Sequence, residues 1–162
     1  MSNERPTRKR IEPMVLKPVG VISSPYRTMD EAPFQGRFSE EKAVLEIYDE
    51  FEDCLEDVEV SEYLIVLYWA HLANREVMKT VTPWGPEIRG VFACRSPSRP
   101  NPLQFCVVEL LERDRSRLTV RGLDAVDGSR VLDIKPYSSR IDSICDVRIG
   151  WFKDSDDKPV GL

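Results

Sequence analysis

The stretch FCVVELLERDRSRLTVRGLDAVDGSRVLDIKP, residues 105–136, decides the fold. Phe105 to Glu112 is an apolar, β-branched run, Arg113-Asp-Arg-Ser is a polar turn, and Arg117 to Leu123 returns with alternating Leu, Val and Leu. A period of two on both sides of a short polar break is the pattern of a β-hairpin. Asp127-Gly128 is a turn dipeptide, and Val131 to Ile134 makes one more short strand before Lys135-Pro136.

Working outward, the same short-element rhythm continues. Pro18 to Ser23 suits a strand, and EAPFQGRFS, Glu31 to Ser39, is a loop because Pro33 and Gly36 resist regular structure. Ala43 to Tyr48 is either a strand or the start of a helix, and Asp49 to Asp57 suits a helical turn or two. YLIVLYWAH, Tyr63 to His71, is a continuous β-branched and aromatic run, as in a strand buried on both faces. Gly90 to Cys94 is a further short strand. Short strands about every ten residues predict a mainly β chain, a barrel or sandwich with one or two short helices. No G-x-G-x-x-G, phosphate-cradling Gly-rich loop or H-E-x-x-H is present, so a Rossmann fold is not indicated.

The chain has 162 residues, enough for one domain over 14–162 preceded by a flexible basic tail over 1–13. Its longest apolar run, Tyr63 to Ala70, is far short of the roughly 20 residues that span a bilayer, so no membrane association is expected. MSNERPTRKR has no apolar segment behind its charges and is no signal peptide, which makes a cytoplasmic location the expectation. Cys54, Cys94, Cys106 and Cys145 lie far apart, and His71 is the lone histidine, so neither a metal site nor disulfides are expected. Each cysteine reads as a small buried apolar residue. The net charge of −5 hides an acidic flank: residues 39–62 hold 11 acids and one lysine, a balance of −10 that leaves +5 elsewhere. A low pI therefore does not exclude a polyanionic partner.

RGVFACRSPSRPNPLQFC, Arg89 to Cys106, joins two apolar runs through three prolines. Each proline fixes its own φ and pushes the residue before it toward extended geometry, here Ser96, Arg99 and Asn101. The segment loses little entropy on ordering and cannot be a central strand. A stiff loop presenting Arg95 and Arg99 could grip a carboxylate or phosphate bidentately, or could be a surface connection with solvated arginines.

GVFACRSPSRPNPL resembles the GVFATRSPxRPNPIG motif of the TrmO (YaeB-like) family of S-adenosylmethionine-dependent tRNA methyltransferases. PFQGRFS is similar to the family's early P-x-Q loop, YLIVLYWAH to its apolar strand ending in histidine, and LTVRGLDAVDGSRVLDIKPY to its late D-G and D-I-K-P-Y motif. The resemblance covers about residues 17–143. It implies a small β-barrel that binds S-adenosylmethionine without a Rossmann fold, acts as a homodimer, and N6-methylates threonylcarbamoyladenosine beside the anticodon of tRNA. By motif, the cofactor meets Pro33, Phe34, Gln35, His71, Leu72, Arg95, Phe105, Asp127, Gly128, Ser129 and Arg130. Asp133, Tyr137 and Lys135 are the candidates for handling the acceptor and its proton, with His71 another possible base. Arg99, Lys135, Arg140 and, in reserve, Arg89 are the cations expected to bind the acceptor's carboxylate, and the basic hairpin around Arg113, Arg115, Arg117 and Arg121 could meet phosphates.

The resemblance breaks at Leu103-Gln-Phe-Cys106, where the family has I-G-L-S, so a bulky amide stands at Gln104 in place of glycine and a thiol at Cys106 in place of a hydroxyl. Two other readings stay open on that ground: the same fold and cofactor with a small-molecule or protein acceptor, or a non-catalytic S-adenosylmethionine-binding module using the acidic stretch as its contact surface.

Overall fold

Antiparallel pairing closes six of the strands into a barrel, in the order β1 (Gly20–Ser23), β2 (Lys42–Ile47), β7 (Arg117–Arg121), β6 (Leu103–Asp114), β3 (Tyr63–Trp69) and β8 (Arg130–Pro136), with β8 returning to β1. This is a computed structural model, and it describes residues 13–83, 85–147 and 149–151. The expected basic tail lies outside the described residues except for Pro13. A second sheet of two strands, β4 (Lys79–Thr82) and β5 (Gly85–Gly90), stands apart from the barrel. The one α-helix among the described residues, α1, spans Ser139–Asp142, and 3₁₀ turns occupy Gly36–Phe38, Asp49–Leu55, Val58–Val60 and Val91–Ala93.

The alternation seen in the sequence becomes the inside and outside of the barrel. Ile22, Leu45, Leu64, Val66, Val108, Leu118, Val120 and Val131, each on a strand, point inward and are essentially without solvent exposure. Closure leaves no barrel edge to solvate, so every one of these strands has two partners. The hairpin at the centre of the sequence forms as expected: Asp114 pairs with Arg117, and Arg115 takes the left-handed conformation at φ 53 that a two-residue loop demands. The segment 43–48, open between strand and helix, is strand as far as Ile47.

Three expectations need correction. Gly90–Cys94 is not a strand: Gly90 ends β5 and the next three residues make a 3₁₀ turn, with Val91 buried and Phe92 87 % exposed. The whole β4–β5 hairpin goes unseen in the sequence because KTVT and GPEIRG carry no buried face to impose alternation. Cys54 and Cys145 are exposed, so only Cys106 is the buried apolar residue expected of all four, with Cys94 between. β3 is also shorter and less buried than its run suggests, ending at Trp69 with Tyr63 45 % exposed.

Candidate active site

One end of the barrel is left open where β3 stops, β6 starts and the segment between β7 and β8 crosses. Gly122, at φ 90, turns the chain off β7, Leu123 and Ala125 anchor it in the core, and Gly128, at φ 80, turns it back into β8. The early loop is pressed onto this segment. A Cβ on Gly36 would meet the Gly122 carbonyl oxygen at 2.1 Å, so only glycine permits the contact. The Gly36 N–H donates to Asp124 Oδ2 at 3.2 Å, and the Tyr26 hydroxyl meets Ser39 Oγ at 2.5 Å at the other end of the loop. Between loop and barrel lies a cavity of about 490 Å³, a size suited to a nucleoside-containing small molecule.

The inner wall of this cavity is a hydrogen-bonded network around Asp124. Its Oδ1 accepts from the Tyr68 hydroxyl at 2.6 Å and from the Cys106 thiol at 2.8 Å. Burial raises the pKa of the Cys106 thiol well above its ordinary value, and the neighbouring Asp124 charge adds to the rise. Burial, then the same charge, raises that of the Tyr68 phenol. Both groups therefore stay protonated and serve as donors to the carboxylate. Asp127 is spent in the same way: Oδ1 accepts from the Ser24 N–H at 3.0 Å and Oδ2 from Arg27. His71 Nδ1 meets the buried Ser129 hydroxyl at 3.3 Å. One buried group on this wall has no partner, the Nε2 of Gln104, whose residue pairs with Tyr68 across β6 and β3 and so shares its inward face.

The outer wall is different in kind. Arg95 is exposed, its guanidinium 5.8 Å from the Phe105 ring centre and donating to the Phe105 carbonyl at 3.3 Å. The Gln35 side chain donates to the carbonyl of its neighbour Phe34 at 2.8 Å. These three side chains, Gln35, Arg95 and Phe105, also line a second cavity of about 710 Å³ on their far side, together with Arg37, Tyr63, Cys106, Glu109, Arg121 and Tyr137.

Of the positions expected at the cofactor, Pro33, Phe34, Gln35, His71, Leu72, Arg95, Phe105 and Ser129 line the first cavity. Asp127, Gly128 and Arg130 do not; they build the turn behind it, where Arg130 donates to the Gly128 carbonyl at 3.3 Å. The stiff loop uses its two arginines oppositely. Arg99, expected to bind an acceptor carboxylate, is turned inward and donates to the carbonyls of Ser96 (2.7 Å), Val91 (2.8 Å) and Cys94 (2.6 Å). Its donors are committed to shaping the loop, which is also why residues 91–93 curl into a turn. Asp133 and Lys135 form an exposed ion pair with each other and line neither cavity. A bulge opposite Leu67 and Tyr68 is the cause: Val131 points inward and Ile134, three residues on, packs on the core, which leaves Asp133 and Lys135 outside. Tyr137 alone of that trio faces a cavity, the second one. Arg140, exposed on α1, and Arg89, stacked 4.6 Å from the Trp151 ring centre, line neither.

The sequence reading did not single out Tyr68, Asp124 or Arg37. The first was hidden in an apolar run, where a tyrosine reads as core. Asp124 sat three residues before Asp127 in GLDAVDG, and nothing local said which acid faces the cavity.

Comparison with known proteins places this geometry. Residues 21–143 match the family model described as the tRNA-methyltransferase O N-terminal domain. A "Probable S-adenosyl-L-methionine-binding protein" of Archaeoglobus fulgidus is 56% identical over 140 residues, 86% of this chain and 38% of that protein. An "S-adenosyl-L-methionine-binding protein" of the same organism is 53% identical over 131 residues, 81% of this chain and 94% of the relative. A crystal structure of TrmO superposes with TM-score 0.73 and 32% identity over 86% of this chain, and that of TrmO from Pseudomonas aeruginosa with 0.71 and 29% over 88%. The chain spans 64% of each of those two crystallised chains, as it spans little more than a third of the first relative.

Proposed function

The chain belongs to the tRNA-methyltransferase O family, and from that premise we propose that it is an S-adenosylmethionine-dependent methyltransferase whose cofactor occupies the first cavity. The observation that carries the reading is the lining of that cavity, which gathers eight of the eleven positions assigned to the cofactor by motif from four separate stretches of sequence. The residues present suit the group. Arg95 offers a guanidinium for the methionyl carboxylate, and Phe34 and Phe105 offer aromatic faces for adenine. Asp124 places one carboxylate where a cation is to be held, and the unpartnered Gln104 amide offers a donor to a buried acceptor atom.

Held by Arg95, Phe34 and Phe105, S-adenosylmethionine would supply a methyl already activated on a sulfonium, for an acceptor nitrogen that gives up its N–H proton to a base or water. The protein's share is alignment and exclusion of solvent. The closed barrel and the Asp124 network hold the inner wall rigid, the Gly36 contact fixes the early loop, and Arg99 holds the loop that carries Arg95. The acceptor in this proposal is threonylcarbamoyladenosine of tRNA, methylated at N6 by a cytoplasmic homodimer. The apolar side chains exposed on and after β4–β5, Val81, Ile88 and Phe92, are a surface of the kind such a dimer buries.

The Gln104 amide favours one second reading, the same cofactor with a different acceptor, because it stands where the family motif has glycine and lines the cofactor cavity. One pair of measurements decides between them. Mass spectrometry of tRNA nucleosides from cells with and without the gene should show the N6-methylated product only with it, and purified protein should transfer labelled methyl to that tRNA. A wild-type chain that binds S-adenosylmethionine in calorimetry but leaves tRNA unmethylated in both tests sinks the tRNA reading and leaves the second.

A further inference from the structure

We propose that the second cavity is the acceptor site, and that Arg37 in it pairs with a carboxylate carried by a planar nucleoside; this rests on the methyltransferase reading above. Position is the first ground. The two cavities share Gln35, Arg95 and Phe105, and none of these three is tied down tightly: Gln35 binds its own neighbour's carbonyl, and Arg95 makes one 3.3 Å bond over an exposed ring. A methyl donor in the first cavity and an acceptor in the second would thus adjoin across Gln35, Arg95 and Phe105.

Charge is the second ground. Around the second cavity stand Arg37, Arg95 and Arg121 against Glu40 and Glu109; with Arg95 given above to the methionyl carboxylate, the question is which of Arg37 and Arg121 the two acids already hold. Arg121 is occupied, with Nε and Nη2 on Glu109 at 3.0 and 2.5 Å and Nη1 3.4 Å from Glu40. Arg37, exposed on the early loop, has no ion-pair or hydrogen-bond partner among the described residues, so its fork is free for a monoanion. The cations assigned from sequence to this task are elsewhere: Arg99 is bound to three carbonyls, and Arg89 and Arg140 line neither cavity.

Aromatic lining is the third. Tyr63 and Tyr137 both border the cavity, and the Tyr137 N–H donates to the Tyr63 carbonyl at 3.0 Å, which fixes the two residues side by side at the ends of β3 and β8. An exposed Tyr63 and a half-buried Tyr137 on adjoining strand ends offer a stacking face for a base and hydroxyls for its edge.

Arg37→Ala and Arg37→Lys in the full chain test this. Arg37 is exposed, so both variants should fold and bind S-adenosylmethionine with unchanged Kd in calorimetry. Arg37→Ala should raise KM for tRNA bearing the carboxylated nucleoside by about tenfold or more with kcat largely retained, and Arg37→Lys should recover part of the loss. Wild-type protein should also prefer the free carboxylate over its amide at the same nucleoside, and Arg37→Ala should lose that preference. An active wild-type chain whose KM and preference survive Arg37→Ala overturns the acceptor site alone. A wild-type chain that binds the cofactor and transfers no methyl to the carboxylated tRNA overturns the functional reading, and the site with it.

Discussion

The two walls of the cofactor cavity are built by opposite means. On the inner wall and in the turn behind it, polar atoms other than Gln104 Nε2 are largely spent on one another: Asp124 takes three donors, Asp127 two, and Ser24 donates to the Ala125 carbonyl at 2.7 Å. On the outer wall Arg95, Gln35 and Phe105 are exposed or loosely tethered. A buried carboxylate without partners costs far more than an exposed one, so the barrel end has to satisfy its own polar groups before it can serve as a floor. The outer side chains remain in water until a ligand arrives, and their hydrogen-bonding capacity is still available. The inner wall therefore fixes the shape of the cavity, and the outer wall keeps its donors open to solvent.

Substitutions can break this contrast, and the largest effect belongs to Asp124→Ala. It strands the buried Tyr68 hydroxyl and Cys106 thiol and frees the Gly36 N–H, at about 1–3 kcal/mol for each buried group. Tm should fall by about 5–15 °C, with cofactor binding lost, in a thermal melt followed with and without S-adenosylmethionine. An unchanged melt would mean that the inner wall does not depend on its carboxylate. Arg99→Ala should come next. Three carbonyls lose their shared donor, so stability should drop by about 1–3 kcal/mol in urea titration, and the loop bearing Arg95 should loosen.

Arg95→Ala is the mirror case on the outer wall. S-adenosylmethionine affinity should weaken by about tenfold or more in calorimetry while Tm stays within a degree or two. Equal loss of both quantities would erase the distinction between the walls.

Alkaline titration sharpens the contrast at a smaller scale. The folded Cys106 thiol keeps its proton above its ordinary pKa of 9.0, while the unfolded chain releases it. The unfolded state then binds fewer protons than the native one, so this contribution is full below about pH 9 and stability falls as pH rises beyond it. Cys106→Ser, which does not titrate there, should flatten that fall. With iodoacetamide at neutral pH, the exposed Cys54 and Cys145 should be labelled in the native protein and Cys106 spared. The smallest effect is expected for Asp133→Ala. Its ion pair with Lys135 is exposed, so stability should change by less than about 1 kcal/mol. Methyl transfer should hold as well, and an activity loss at full stability would return Asp133 to the acceptor's side.

How far the sequence carried depended on the kind of signal. Strands with one face in the core were legible because burial imposes a period of two: β6, β7 and β8 were all placed within three residues of their true ends. The β4–β5 hairpin was not, since neither of its faces is buried and nothing forces alternation. Eight of the eleven positions that motif resemblance assigns to the cofactor do line the first cavity, and that grouping was legible only through the resemblance. The roles of Arg99, Asp133 and Lys135 were misplaced for reasons a linear reading cannot hold. Arg99 finds its carbonyls only once its own loop has curled. The face of Asp133 depends on a bulge paired against β3, more than sixty residues earlier in the chain.

Local sequence was enough for a mainly β chain, a stiff arginine-bearing loop and the family to which both belong. Those rest on local rules: alternation, the restricted angles of proline, and motifs a dozen residues long. Folding settles which arginine keeps an unclaimed fork among the described residues and which acid faces the first cavity. It also decided that two cavities share one thin wall. Those facts depend on hydrogen-bond partners far apart in sequence, and a side chain is available to a ligand only if no such partner has already claimed it.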